Sequence, residues 1–428
     1  MDHFQHRDGA LHCEDVALAS IAEAVGTPVY VYSTATMLRH ARVFQEAVSA
    51  TGDPLVAYAV KANPNVAVLR TLANAGLGAD VVSGGEYRRA REAGVPPERI
   101  LFAGVGKTEA EMALALNGGL YQFNVESVAE AETLSKVATD LGAIAPVGFR
   151  INPDIGAGGH AKITTGAAAS KFGIAFKEAA DAYATAARLP GLDVRGIAVH
   201  IGSQLTSLDP LERAFGRIGE LIGILRSAGH RIEVADLGGG LGVPYDPDQE
   251  PPPSPEDYGA MVRRVTDGWN VRLVFEPGRL IVGNAGVLVS RVIRVKPGSQ
   301  YPFVIVDAAM NDLMRPALYD AWHGIEAVRP SGERWTANVV GPVCETGDTF
   351  ATARAMDRVE AGELIVFRTA GAYAATMSST YNSRPLTPEV LVDKHRWAVV
   401  RPRIEVDSLP GAGSVPDWFG GCADRPSR

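Results

Sequence analysis

Eight short runs rich in Val, Ile, Leu and Phe, beginning near Pro54, Gly78, Ile100, Tyr121, Pro146, Val194, Ile232 and Val271, alternate with Ala-, Leu- and Glu-rich stretches of helical period. Eight buried strands that each feed a helix are the count for a closed parallel (β/α)8 barrel. A doubly wound open sheet more often has fewer strands and a G-x-G-x-x-G turn after the first, and no such turn follows Leu55–Val60. After residue 280 the pattern changes. Runs such as Ala285–Val289, Phe303–Val306, Ala337–Val340, Glu363–Phe367 and Trp397–Val400 follow one another with little helix between them, which predicts a second, mainly antiparallel β domain. The strand-like Pro28–Tyr32 precedes the barrel and is expected to pair with that second domain. The predicted division is a barrel over 33–279, a β domain from 1–32 and 280–408, and an irregular tail over 409–428. Val243–Pro255, with its three consecutive prolines, reads as a long loop.

What ends each run carries the functional signal, because active sites of such barrels form at the carboxyl ends of the strands. Lys61 ends the first run, Asp80 and Ser83 the second, Gly104 the third, and Asn124 and Glu126 the fourth. Arg150 and Asn152 end the fifth, His200 and Ser203 the sixth, Gly238–Gly240 the seventh, and Glu276 and Arg279 the eighth. Any one of these residues suits a turn; together they converge on one rim.

A net charge of −8 without a Lys/Arg block argues against nucleic acid as a partner. No run reaches the roughly 20 apolar residues a membrane span needs, and the first residues lack a signal-peptide layout, so a cytoplasmic protein acting on small molecules is expected. Three widely spaced cysteines, Cys13, Cys344 and Cys422, fit neither a disulfide framework nor a metal site.

Lys61 stands where an apolar strand meets a loop, and desolvation there is expected to lower the ammonium's pKa and free the amine to form a Schiff base. The bare backbone of Gly238–Gly240, with Gly278 and Arg279, could cradle a phosphate after strands seven and eight. His200 could stack on a ring and Glu276 could pair with a pyridinium N–H, so the set describes a pyridoxal phosphate site.

The segments Tyr58–Asn63, His200–Gln204, Leu237–Gly240 and Glu276–Arg279 resemble the fold-type III, alanine-racemase-like pyridoxal phosphate decarboxylases. Met310–Tyr319, Gly341–Asp348, Gly371–Tyr373 and Met377–Pro385 are similar to the branch of that family that acts on meso-2,6-diaminopimelate, although Ala309 and Thr346 stand where Gly and Ser are frequent. The resemblance implies that the chain decarboxylates meso-diaminopimelate to L-lysine. Lys61 would carry the cofactor, with His200 against its ring and Glu276 at its pyridine nitrogen. Ser203, Gly239, Gly240, Gly278 and Arg279 would surround the phosphate, and Tyr373 would close over it. Arg279, Arg315 and Tyr319 would hold the distal carboxylate, Glu345 the distal ammonium, and Cys344 would return a proton to carbon. The Cys344–Glu345 pair would come from the partner subunit of a homodimer, and Gly158–Gly166 would form a mobile active-site loop. A sister decarboxylase for another diamino or carboxy-polyamine substrate, an amino-acid racemase of the same fold, and a catalytically silent cofactor carrier are the alternatives. Glu276 disfavours the racemase, and the second domain disfavours the carrier.

Overall fold

The computed structural model describes residues 2–156 and 171–409, together with 413, 416 and 418. The loop expected over 158–166, Cys422 and most of the tail therefore lie outside the described residues. Strands Leu55–Ala59, Gly78–Val81, Ile100–Phe102, Gln122–Val125, Ala145–Asn152, Leu192–Ala198, Val234–Asp236 and Arg272–Phe275 pair in parallel in that order. The cylinder closes where Val274 and Phe275 meet Leu55 and Val56. These are strands one to eight below.

Strand one, Leu-Val-Ala-Tyr-Ala, is buried at every position, as a barrel staff wrapped by helices must be. Helices Val66–Asn74, Gly84–Glu92, Glu109–Asn117, Val128–Asp140, Ala179–Ala186, Asp209–Ser227 and Pro255–Val265 follow strands one to seven. Thr34–Val48, which precedes strand one, packs between Pro255–Val265 and Val66–Asn74 and completes the ring. Several rim polar residues serve as helix caps. The Asn65 side chain accepts from the Ala67 amide, Ser83 from Glu86, and Ser254 from Asp257, and each satisfies an N–H that a helix start leaves without a partner.

The second domain is a sheet in which Gly286–Lys296 pairs antiparallel with Val29–Ser33, Phe303–Val306 and Leu364–Phe367. The expected pairing of the early strand is thus present, and the same strand also runs parallel to Glu389–Asp393. Arg334–Val340 lies parallel to Phe303–Val306 and antiparallel to Thr349–Asp357. The hairpin Phe4–Arg7 and Ala10–Cys13 was not expected from the sequence; its Phe4, Leu11 and Cys13 pack with Val29, Val287, Val366 and Val390 on one face of the sheet.

The two domains are stitched together beside Lys61. The Tyr373 amide donates to the Ala62 carbonyl at 2.8 Å, and the Asn63 side-chain amide to the Gly371 carbonyl at 3.1 Å. Gly371 is required by close approach, since a Cβ there would sit 1.9 Å from the Val282 carbonyl oxygen, on backbone that cannot swing aside. Gly371→Ala should therefore cost about 1–3 kcal/mol of stability. Denaturant titration checks this, and an unchanged midpoint would show that the seam tolerates a methyl group.

Candidate active site

A cavity of about 740 Å³ opens at the carboxyl ends of the strands and is roofed by residues of the second domain. Lys61 lies on the single turn Val60–Ala62 that ends strand one. Its side chain keeps 37% of its surface accessible, opening onto the cavity, and its Nζ lies 3.3 Å from Oδ2 of the buried Asp80. Burial pulls the Lys61 pKa down, as the sequence reading expects. The Asp80 carboxylate, with Tyr373 and Glu276, outweighs burial, and the net shift is upward. The expectation of a lowered pKa is therefore corrected: in this arrangement the amine is stored as an ammonium.

Glu276 follows strand eight, the neighbour of strand one, with 8% of its surface exposed, and its enclosed Oε1 has no hydrogen-bond partner among the described residues. Its other contact is a side-chain hydrogen bond with Asp236, the last residue of strand seven. Asp236 in turn accepts from the Asn124 amide at 2.6 Å and from the Gly238 N–H at 2.9 Å. Two buried carboxyl groups in contact do not both ionise readily. Burial, then Asp236 and Asp80, hold the Glu276 pKa well above the ordinary range, while burial moves Asp236 up to about 6. The pair retains a proton, and Glu276 lines the cavity.

His200 lines the same space and accepts from the Gly239 amide through Nδ1 at 3.2 Å. Burial, Arg150 and Lys61 push its pKa well below the imidazole value, so the ring is neutral. The Arg150 guanidinium donates to the His200 carbonyl at 3.1 Å and to Glu126 at 3.0 Å. The glycine triplet packs against strand eight closely enough that a Cβ on Gly239 would meet the Glu276 carbonyl at 2.2 Å. Ser203, Gly239, Gly240, Gly278 and Arg279 come together at that end of the cavity, with Arg279 donating to the Ser203 hydroxyl at 3.2 Å.

From the second domain, Arg315, Tyr319 and Tyr373 line the cavity. The Arg279 guanidinium carbon stands 4.8 Å from the centre of the Tyr373 ring. Cys344 and Glu345 do not line it; both are exposed, on a loop shaped by Asp348, whose carboxylate accepts from the Met310 and Val343 amides at 2.6 and 2.7 Å. Sequence reasoning missed Asp236, Tyr245 and His323. Asp236 was discoverable as a carboxylate at a strand's end, whereas Tyr245 lies in a stretch read as irregular loop and His323 in a stretch with no pattern. Among the described residues no group of His, Cys, Asp and Glu is arranged to hold a metal ion.

An amine, a buried carboxyl group, a neutral imidazole and a bare-backbone cradle with an arginine, all lining one cavity, suit a phosphorylated heteroaromatic aldehyde. That places the molecule in the class of barrel enzymes that use pyridoxal phosphate. The family model for the pyridoxal-dependent decarboxylase, pyridoxal binding domain, matches residues 34–283, and the chain belongs to that family. It is 55% identical over 418 residues to the diaminopimelate decarboxylase of Zymomonas mobilis, covering 97% of this chain and 99% of that protein. It is 49% identical to the diaminopimelate decarboxylase of Vibrio cholerae, with coverage of 97% and 99%. The crystal structure of diaminopimelate decarboxylase from M. jannaschii in co-complex with L-lysine superposes with a TM-score of 0.93 at 34% identity, covering 97% of this chain and 99% of that one.

The carboxyl pair gives a signed expectation for the cofactor-free protein. A carboxyl whose pKa is raised by folding contributes stability below its unfolded value, near 4.5 for Glu276, and loses it as pH rises through the folded value. Glu276→Gln keeps a donor toward Asp236 and has no proton to lose. Its stability relative to the parent chain should therefore increase as pH rises from about 4.5 upward. Denaturation curves from pH 4.5 to 8 check this, and parallel curves would refute the shared-proton reading.

Proposed function

We propose that this chain is a pyridoxal-phosphate-dependent carboxy-lyase that converts meso-2,6-diaminopimelate to L-lysine and CO2, the last step of lysine biosynthesis. The observation that carries the reading is that Lys61 and the buried carboxyl group of Glu276, at the ends of neighbouring strands one and eight, line one cavity, in a chain so similar along its length to diaminopimelate decarboxylases. When bound, pyridoxal phosphate supplies an electron sink for the pair left on carbon as CO2 departs. Lys61 would anchor the cofactor, and Asp80 beside it holds its ammonium in place. Glu276 would pair with the ring N–H and keep the ring cationic, and Asp236 holds Glu276 in place. His200, neutral and fixed by Gly239, lies against the ring. Ser203, Gly239, Gly240 and Gly278 would take the phosphate, with Arg279 at its edge and Tyr373 over it.

The substrate's second carboxylate goes to Arg279, Arg315 and Tyr319 in this reading, because a buried cation needs an anion to repay its desolvation. Cys344 and Glu345 of the partner subunit then reach this cavity, the thiol returning a proton to carbon and the carboxylate taking the distal ammonium. Their exposure on a well-ordered loop supports that assignment. The reading includes a homodimer with shared sites, a cytoplasmic location and a division into a barrel over 33–279 and a second unit from 1–32 and 280–408. Among the described residues no helix is long and apolar enough to cross a membrane.

Purified protein supplied with pyridoxal phosphate should release CO2 from meso-diaminopimelate and not from L-lysine or L-ornithine. Lys61→Ala should abolish release, a loss of at least roughly a thousandfold for removal of a covalent catalyst. Consumption of ornithine in place of meso-diaminopimelate would move the chain to a sister decarboxylase.

A further inference from the structure

Two of the cavity's cations are held in an unusual way. Arg279 and Arg315 expose only 7% and 6% of their surfaces, a depth at which a guanidinium ordinarily has a carboxylate beside it. Among the described residues neither has one. Arg279 donates to the Tyr245 hydroxyl at 2.5 Å and to the Ser203 hydroxyl at 3.2 Å. Arg315 donates through Nη1 to Nε2 of His323 at 2.8 Å. His323 is 1% exposed, and its Nδ1 donates to the Arg368 carbonyl at 2.8 Å, which leaves Nε2 as the acceptor. The Tyr245 ring stands between the two cations, 5.7 Å from the guanidinium carbon of Arg279 and 4.4 Å from that of Arg315. His323 meets the same ring edge-on, with centroids 5.4 Å apart.

We propose that Tyr245 and His323 are positioning residues that fix Arg279 and Arg315 through neutral acceptors, so that both positive charges face the cavity uncancelled and select a ligand carrying a distal carboxylate. A carboxylate in place of either anchor would hold the guanidinium equally well and would cancel the charge that recognises the ligand. An aromatic face between the cations stabilises both without contributing a countercharge. The buried imidazole is suited to the same end. Burial and the Arg315 charge push its pKa down to about 3, so it stays an acceptor throughout the physiological range. The inference deepens the proposed reaction, since it rests on the assignment of these arginines to the distal carboxylate.

The test compares two ligands of the cofactor-loaded enzyme by calorimetry. L-lysine carries a carboxylate, and cadaverine is the same diamine skeleton without one. Tyr245→Phe removes one hydroxyl, His323→Asn withdraws the acceptor from Arg315, and His323→Gln can restore an acceptor near the position of Nε2. The parent chain should favour L-lysine strongly. Tyr245→Phe and His323→Asn should each weaken L-lysine about tenfold and leave cadaverine unchanged, and His323→Gln should recover most of the loss. Equal losses for both ligands, or no loss for either, would overturn the positioning role. A parent chain that does not distinguish the two ligands would instead overturn the assignment of the distal carboxylate itself. Tyr245→Phe changes one partly buried oxygen, so it remains informative should the His323 variants fail to fold.

Discussion

An ammonium set among buried carboxyl groups is the interaction around which this cavity is arranged. Lys61 faces Asp80 at 3.3 Å, and Glu276 and Asp236, at the ends of neighbouring strands eight and seven, share a hydrogen bond. Burying such charges singly would cost several kcal/mol each; set together, with a proton retained by the carboxyl pair, they become tolerable. The barrel makes the cluster possible because parallel strands deliver their last residues to one rim. The cluster in turn fixes where an electron-poor ring can lie, since the amine and the Glu276 carboxyl group line the same cavity from the ends of neighbouring strands.

The second domain completes what the rim begins. Its loop 370–373 is hydrogen-bonded to Ala62 and Asn63, beside the lysine, so Tyr373 enters the cavity on backbone fixed by the barrel. Arg315, Tyr319 and His323 come from the same domain, and Tyr245 from the barrel's seventh loop meets them. In the proposed reading the cofactor is anchored by the barrel, and most of the groups that would read the substrate's far end meet at the seam. The separation matches the physical needs of each, because a fixed ring demands rigid strand ends whereas a variable substrate end is read by loops.

Much of this was legible in the sequence because buried parallel strands are continuous apolar runs, and each run's end announces itself by a change to polar or glycine residues. The start of every barrel strand lay within two residues of its expected place, and Lys61, His200, Ser203, Gly239, Gly240, Glu276, Gly278 and Arg279 do share one cavity. The second domain was less legible. Thr349–Asp357 contains three alanines and little β-branching, so its strand is imposed by pairing with Arg334–Val340 and not by local preference. Asp236 and Glu276 are 40 residues apart, and nothing local marks them as a proton-sharing pair. The sign of the Lys61 shift was also beyond a local reading, because it is set by Asp80 and Glu276 from other strands. Cys344 and Glu345 gave a strong motif and no place in this chain's own cavity.

The central claim is that Lys61, and no other lysine, anchors the cofactor. Lys107 is the informative contrast, since its ammonium is fully enclosed and already donates to the Gly104 and Asn124 carbonyls and to Glu130. The direct measurement is borohydride reduction of the enzyme loaded with pyridoxal phosphate, followed by peptide mapping by mass spectrometry. The account predicts a phosphopyridoxyl group on the peptide containing Lys61 alone. A label on Lys107 or any other lysine, with Lys61 unmodified, would contradict it.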